Sequence, residues 1–352
     1  MNFHRITPAA ILGVAVSGLL ACRSDSVSAP DTQQLVSAHR QSGGGGSLVV
    51  DDDRKDCRRA DYTTIQAAVD AAEPGSQILV CAGTYHEQVL IRKNGLRLFA
   101  KGKPGRVVLD GRDEHAMLAG FLLENAHGNL IEGFLVRRYH EAGIWLRPLA
   151  DQPTTGSSRN TIRRNVTTGA GHDGIQLLAS NDNVIEHNVV VDHLAPNGCG
   201  VNVFAGSARN VVRHNRLVNN EWGIQIAGGT TLDNVISENK AFGNRGNGIR
   251  NIGASGTTIE ENRAFGNGFA PSILTDPDDA ANTAAGIRIA SGSGIVVRDN
   301  RAARNLLVDL LKEAAAAATF EDNDCKTSSP LGLCERHKDD DERDEDDEGE
   351  SE

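Results

Sequence analysis

From about residue 160 onward the chain repeats a short pattern: an apolar residue, two others, then asparagine. It reads Ile162–Asn165, Ile185–Asn188, Val212–Asn215, Ile236–Asn239, Ile259–Asn262, Val297–Asn300 and Phe320–Asn323. Successive asparagines are 23, 27, 24, 23, 38 and 23 residues apart. A glycine followed by a β-branched residue follows most of them. Gly174–Ile175, Gly223–Ile224 and Gly248–Ile249 come eight or nine residues after an asparagine. Gly200–Val201 and Gly286–Ile287 come after longer gaps, and Gly143–Ile144 belongs to an earlier, less regular unit. Short β-type runs separated by Gly, Asn and Ser turns fill each unit. Helical repeats need amphipathic stretches of ten or more residues, and these units have none. A leucine lattice is missing, and a propeller blade needs about 40 residues. A unit near 23 predicts one coil of a right-handed parallel β-helix, with three strands and three turns and about ten coils in all. Apolar side chains would stack inward, and the asparagines would stack in a ladder at one turn, a structural role.

The N-terminal part extends the pattern. Thr63–Ala72 predicts a short amphipathic helix with Ile65, Ala68, Val69 and Ala72 on one face, stopped by Pro74–Gly75. Strands follow at Ile78–Val80, Val89–Ile91, Leu96–Phe99 and Val107–Leu109. The helix would cover the open end of the stack. Leu306–Ala318 (LLVDLLKEAAAAA) has helical propensity, yet it lies within one 23-residue unit. It reads as the last coil, with Leu307–Leu311 a strand and the alanine run a turn or capping helix.

The string TIQAAVDAAEPGSQILVCAGTYHEQVLI (residues 64–91) resembles the opening of pectate-lyase-like β-helix proteins. The later units resemble repeats shared by carbohydrate-binding proteins and sugar hydrolases, and by the β-helix accessory protein of nitrous-oxide reductase. The resemblance covers roughly residues 48 to 335. It implies the fold, but the superfamily includes lyases, hydrolases, epimerases, esterases and inactive binders.

Composition agrees with a folded, glycine-rich β protein: 39% apolar, 4% aromatic and 38 glycines in 352 residues. The net charge of −11 argues against a nucleic-acid-binding surface. Nearly all of it sits in residues 338–352 (KDDDERDEDDEGESE), expected to be a disordered acidic tail. At the other end, His4 and Arg5 precede an apolar run from Ala9 to Ala21, too short to span a bilayer. Leu19-Leu20-Ala21-Cys22 resembles a bacterial lipobox, with Cys22 the acylated residue. Arg23 in the next position, in place of a retaining Asp, favours the outer membrane. Residues 23–47 are Ser/Gly-rich and predict a flexible tether, leaving 48–337 as the β-helix domain. The expectation is an exported protein, held to the membrane by its lipid alone, and monomeric. Export suits the cysteines. Cys57 with Cys81 and Cys325 with Cys334 flank the two ends of the domain as natural bridges, leaving Cys199 as a buried hydrophobe.

A β-helix is filled inside, so chemistry belongs outside. With Ile144, Ile175, Val201, Ile224, Ile249 and Ile287 inward, the next residues form an outward column: Trp145, Gln176, Asn202, Gln225, Arg250 and Arg288. Just before these strands lie Glu141, His172–Asp173 and Glu221–Trp222. Longer segments at 147–158, 192–197 and 266–283 flank the same strand, as loops building a cleft do. Aromatic rings stack on sugars, and Arg, amides and acids bond hydroxyls and uronate carboxylates. A lyase or C5-epimerase of uronate polymers needs a base and a carboxylate clamp. His172, Asp173, Arg250 and Arg288 are the candidate catalytic set; Glu141, Trp145, Gln176, Asn202, Glu221, Trp222 and Gln225 are candidate sugar contacts. A hydrolase would draw on Glu141, Asp173 and Glu221. Asp276-Pro277-Asp278-Asp279 is similar to the Asp-Pro-His-Asp of mannuronan epimerases but lacks the His; a loop acid cluster touching calcium is the preferred reading. Two non-catalytic alternatives remain: a carbohydrate-binding or scaffold solenoid, and a metal-loading accessory protein. The second has little support from two methionines and scattered histidines.

Overall fold

The computed structural model describes residues 46–112, 115–269 and 284–335. The β-helix lies within Gly43–Glu352. Each coil lays one short strand on each of three faces, here called sheets I, II and III. In one coil these are Ala142–Arg147, Thr161–Arg163 and Val166–Thr168. The next adds Asp173–Leu178, Val184–Glu186 and Val189–Val191, all in parallel register. Among the described residues sheet III has ten strands, in line with the expectation of about ten coils. Sheets I and II become continuous at Ala285–Arg298, whose first part pairs in sheet I and second part in sheet II. The register stacks like on like. Ile175, Val201, Ile224, Ile249 and Ile287 follow one another through five coils, each fully buried. Each such burial contributes about 1.5–3 kcal/mol.

The corners are held by amides. The expected ladder runs Asn165, Asn188, Asn215, Asn239, Asn262, Asn300, Asn323 between sheets II and III. Each Nδ2 also donates to a main-chain carbonyl, as Asn188 does to Ile162 at 2.9 Å. The residue before each ladder asparagine from Asn165 to Asn323 is left-handed, with φ between 50 and 55°. That conformation is unfavourable for an L-residue, by roughly 1–2 kcal/mol, and the buried amide network offsets it. The structure adds two ladders that the pattern did not reveal. Asn129, Asn160, Asn183, Asn210 and Asn234 link the corner between sheets I and II. Asn220, Asn244, Asn267 and Asn305 link the corner between sheets III and I, ending on Asp309. A five-residue Asn spacing, as in Asn210, Asn215 and Asn220, was the overlooked signal.

The ends are capped as expected at one end and differently at the other. Helix α1 spans Ile65–Ala71, with Ile65, Ala68 and Val69 buried. Its Thr64 cap accepts from Ala67, and the Glu87 carboxylate takes the Ile65 and Gln66 N–H groups at 2.8 Å each. Both disulfides form, Cys57–Cys81 and Cys325–Cys334, and Cys199 is free and buried. The alanine run is not a helix: Ala314 and Ala315 form the expected turn, closed by Ala316 N–H on the Glu313 carbonyl at 3.1 Å, and the rest is strand. Ala316–Glu321 is a strand of sheet II, pairing Ala318 with Ile295 and Phe320 with Val297. An exposed sheet edge offers main-chain partners that outweigh the helical propensity of alanine. Nor is this the last of the chain's strands: Asp324–Cys325 and Ser328–Ser329 begin another coil.

Candidate functional site

The predicted outward column exists in full register on sheet I. Trp145 pairs with Gln176, Gln176 with Asn202, Asn202 with Gln225, Gln225 with Arg250 and Arg250 with Arg288. The glycine ahead of each inward aliphatic has a packing reason. A Cβ on Gly174 would lie 2.6 Å from the Gly200 carbonyl oxygen, and one on Gly200 equally close to that of Gly223. Only glycine lets successive coils approach this closely there.

The column differs from an open face. Gln176, Asn202, Arg250 and Arg288 are only 7%, 4%, 3% and 3% exposed. Their polar groups bond along the sheet. Arg250 Nε donates to Gln225 Oε1 at 2.7 Å, and its Nη2 donates to the same oxygen. Gln225 Nε2 donates to Asn202 Oδ1 at 3.0 Å, and Asn202 Nδ2 donates to Asp173 Oδ2 at 3.0 Å. Gln176 Nε2 reaches the same Asp173 oxygen at 2.7 Å, and Cys199 N–H reaches Asp173 Oδ1 at 2.7 Å. Asp173 is fully buried and satisfied by these donors. Its Oδ1 lies 3.2 Å from His172 Nδ1, a charge contact without the alignment of a hydrogen bond. Interaction with Asp173 raises the His172 pKa against the opposing effect of burial, with Glu141 adding to the rise. The imidazole is about a third exposed while Nδ1 is buried, so its accessible edge is the other one.

The structure therefore brings together His172, Asp173, Gln176, Asn202, Gln225 and Arg250. It corrects the reading of Trp222 as a groove residue. Trp222 is 2% exposed and opens a sheet I strand, with the Arg250 guanidinium stacked 3.0 Å from its ring centroid. Glu221 is also buried, 4.0 Å from Arg245. Arg288 turns to Glu313, at 2.7 Å. Trp145 is half-buried beneath Arg147, whose guanidinium sits 4.5 Å from its ring, and Glu124 bonds both Arg147 and Arg92. Glu141 is partly exposed, 3.8 Å from His140. Sequence reasoning missed His115 and His140, whose Nδ1 atoms lie 3.0 Å apart next to Glu141. Neither sits on the counted strand, so the period gave no signal for them. Burial raises the Cys199 thiol pKa well above its ordinary value, which suits an inert core residue.

Three polar atoms in this face are buried without a hydrogen-bond partner: Trp145 Nε1, Gln176 Oε1 and His172 Nδ1. Unmade bonds of this kind are uncommon in folded proteins and call for an explanation. Two candidate features fall largely or wholly outside the described residues, the 266–283 segment and its Asp276–Asp279 string. No helix among the described residues is long and apolar enough to cross a membrane.

Comparison with known proteins fits this architecture. Residues 108–233, just over a third of the chain, match the family model of the periplasmic copper-binding protein NosD. No curated protein matches by sequence. Among solved structures, pectate lyase Pel9A superposes with a TM-score of 0.55 at 17% identity, covering 85% of this chain and 83% of its own. A GH136 lacto-N-biosidase from Eubacterium ramulus gives 0.57 at 10% identity, over 76% of this chain and 57% of its own. An alginate lyase from Paenibacillus sp. gives 0.50 at 15%, over 83% and 98%. At these identities the likeness is one of fold, and it agrees with the stacked parallel strands: the chain folds as a right-handed parallel β-helix, similar to that of pectate lyase Pel9A.

Proposed function

We propose that this protein binds an acidic polysaccharide along sheet I, with His172 placed as the proton-accepting group of a lyase- or epimerase-type reaction. The observation that carries the reading is the His172–Asp173 pair, with the imidazole about a third exposed, beside Trp145 on the adjacent strand. Strands about 4.8 Å apart suit repeated contacts along a hydroxyl-rich chain. Pectate lyase and alginate lyase among the structural neighbours support an anionic polymer as the class to try first.

In a β-elimination the base takes the proton at C5, a C4–C5 double bond forms, the C4–O bond breaks with its electron pair on oxygen, and that oxygen takes a proton from water. Neutral His172 would accept that proton through its exposed edge, with Asp173 stabilising the imidazolium formed. Arg250 and Arg288 would supply positive charge toward the uronate carboxylate. A second reading, a non-catalytic binder, is favoured by the burial of both arginines and their bonds to Gln225 and Glu313. A copper-loading role finds less support. Among the described residues, the grouping of three metal-type side chains is Asp51, Asp53 and Asp56, with no histidine.

A 235 nm assay with a panel of uronate polymers, with and without calcium, separates these readings. A rising trace that disappears in His172→Ala establishes the lyase. Activity should increase with pH as His172 loses its proton, above its ordinary value. Binding without absorbance or C5 inversion selects the non-catalytic reading. Absence of binding to every polymer overturns the proposal.

The same proposal places the protein in the bacterial envelope. Residues 1–22 act as a lipoprotein signal, 23–47 as tether, 48–337 as the functional domain and 338–352 as an acidic tail. The two disulfides support export.

A further inference from the structure

The first strand of sheet II, Ser47–Val50, runs into the sequence Asp51-Asp52-Asp53-Arg54-Lys55-Asp56-Cys57. This loop returns to the strand where Asp51 N–H bonds the Tyr62 carbonyl at 3.0 Å. Asp51, Asp53 and Asp56 each place a carboxylate oxygen within 4.8 Å of the others. Asp53 and Asp56 are exposed, whereas Asp51 is fully buried. Its Oδ2 takes the Cys57 N–H, but Oδ1 is buried with no partner. A buried carboxylate oxygen left bare is costly unless a cation or donor meets it. Asp52 is used elsewhere, accepting the Thr84 N–H at 3.0 Å.

We propose that this loop is a calcium site, with Asp51, Asp53 and Asp56 as its carboxylate ligands. All three offer hard oxygens. Calcium takes six to eight of these at about 2.3–2.6 Å in irregular geometry, so oxygens on opposite sides of one ion lie about 4.6–5.2 Å apart and neighbouring ones closer. Main-chain carbonyls and water complete such a shell. Lys55 now plays the part of the cation. Its Nζ lies 2.6 Å from Asp53 Oδ2, and its N–H bonds Asp53 Oδ1 at 2.9 Å. Calcium must displace that ammonium, so Lys55 sets the affinity. The ion would tie the opening strand of sheet II to the loop closed by Cys57–Cys81, and so hold the N-terminal end of the stack. Calcium at extracellular, millimolar levels suits such a clasp.

The test is thermal unfolding of the full chain in millimolar CaCl2, MgCl2 or EDTA at constant ionic strength. Calcium raises the midpoint by mass action, and magnesium does so much less. Lys55→Gln enlarges the calcium shift, because the competing charge is gone. Asp56→Asn and Asp53→Asn, both at exposed positions, weaken binding by about tenfold or more and shrink the shift. The acidic tail is untouched by these substitutions, so any calcium held there cannot produce the pattern. The proposal is overturned by an absent calcium shift, an equal magnesium shift, or shifts unchanged in all three variants.

Discussion

Asn215 shows what one residue contributes to this fold. Its Oδ1 accepts the main-chain and side-chain N–H groups of Asn188 at 3.0 and 2.9 Å. Its Nδ2 donates to the Ile185 and Arg213 carbonyls and to Asn239. Alanine there strands several buried polar groups at once, and each costs about 1–3 kcal/mol. Asn215→Ala should therefore lower stability by about 3–5 kcal/mol, read as a fall in urea midpoint. At His172 the prediction concerns pH. Asp173 raises its pKa in the folded state, so the folded protein holds that proton more tightly than the unfolded chain. The stabilisation is fully present below the unfolded value of about 6.5 and is lost as pH rises through the folded value. Urea midpoints of wild type and His172→Gln between pH 5 and 9 should lose this pH-dependent difference above that window. An unchanged difference across the range would refute the coupling.

At the scale of elements, the termini of the stack are where fraying begins, and two bridges guard them. Cys57–Cys81 spans 24 residues and Cys325–Cys334 spans 9. Loop-closure entropy assigns about 3.5 kcal/mol to the first and about 2.7 kcal/mol to the second. Paired Cys→Ser variants should lower stability in that order, and hydrogen exchange should rise first at the end that has lost its bridge. Helix α1 and the two N-terminal strands Val89–Ile91 and Val107–Asp110 were legible because periodicity and breakers agree there. The Ala316–Glu321 strand was not, because its conformation is set by the neighbouring strand it pairs with, and not by local propensity.

For the whole molecule, the proposed lipid on Cys22 and the tether after it would keep the β-helix domain at a membrane surface. The proposed anchor predicts that Cys22→Ser moves the protein from the membrane fraction to the soluble exported fraction, with the β-helix still folded. Membrane retention of that variant would exclude lipid attachment at Cys22.

The 23-residue period, the Gly-Ile pairs and the Asn-bearing turn were enough to specify the coil. A parallel stack places each residue on its counterpart one unit later, so one-dimensional recurrence becomes three-dimensional contact. The membership of the column from Trp145 to Arg288 followed from the same alternation. Only the tertiary structure decided what that column does with its polar atoms. Alternation tells which face a side chain takes, but not which neighbour it bonds or what covers it. Hence Trp222 lies under Arg250, Arg288 turns to Glu313, and Asp173 gathers donors from Gln176 on its own strand and from Cys199 and Asn202 on the next coil. Bond partners and burial depend on distances between residues far apart in sequence, and recurrence alone does not encode them.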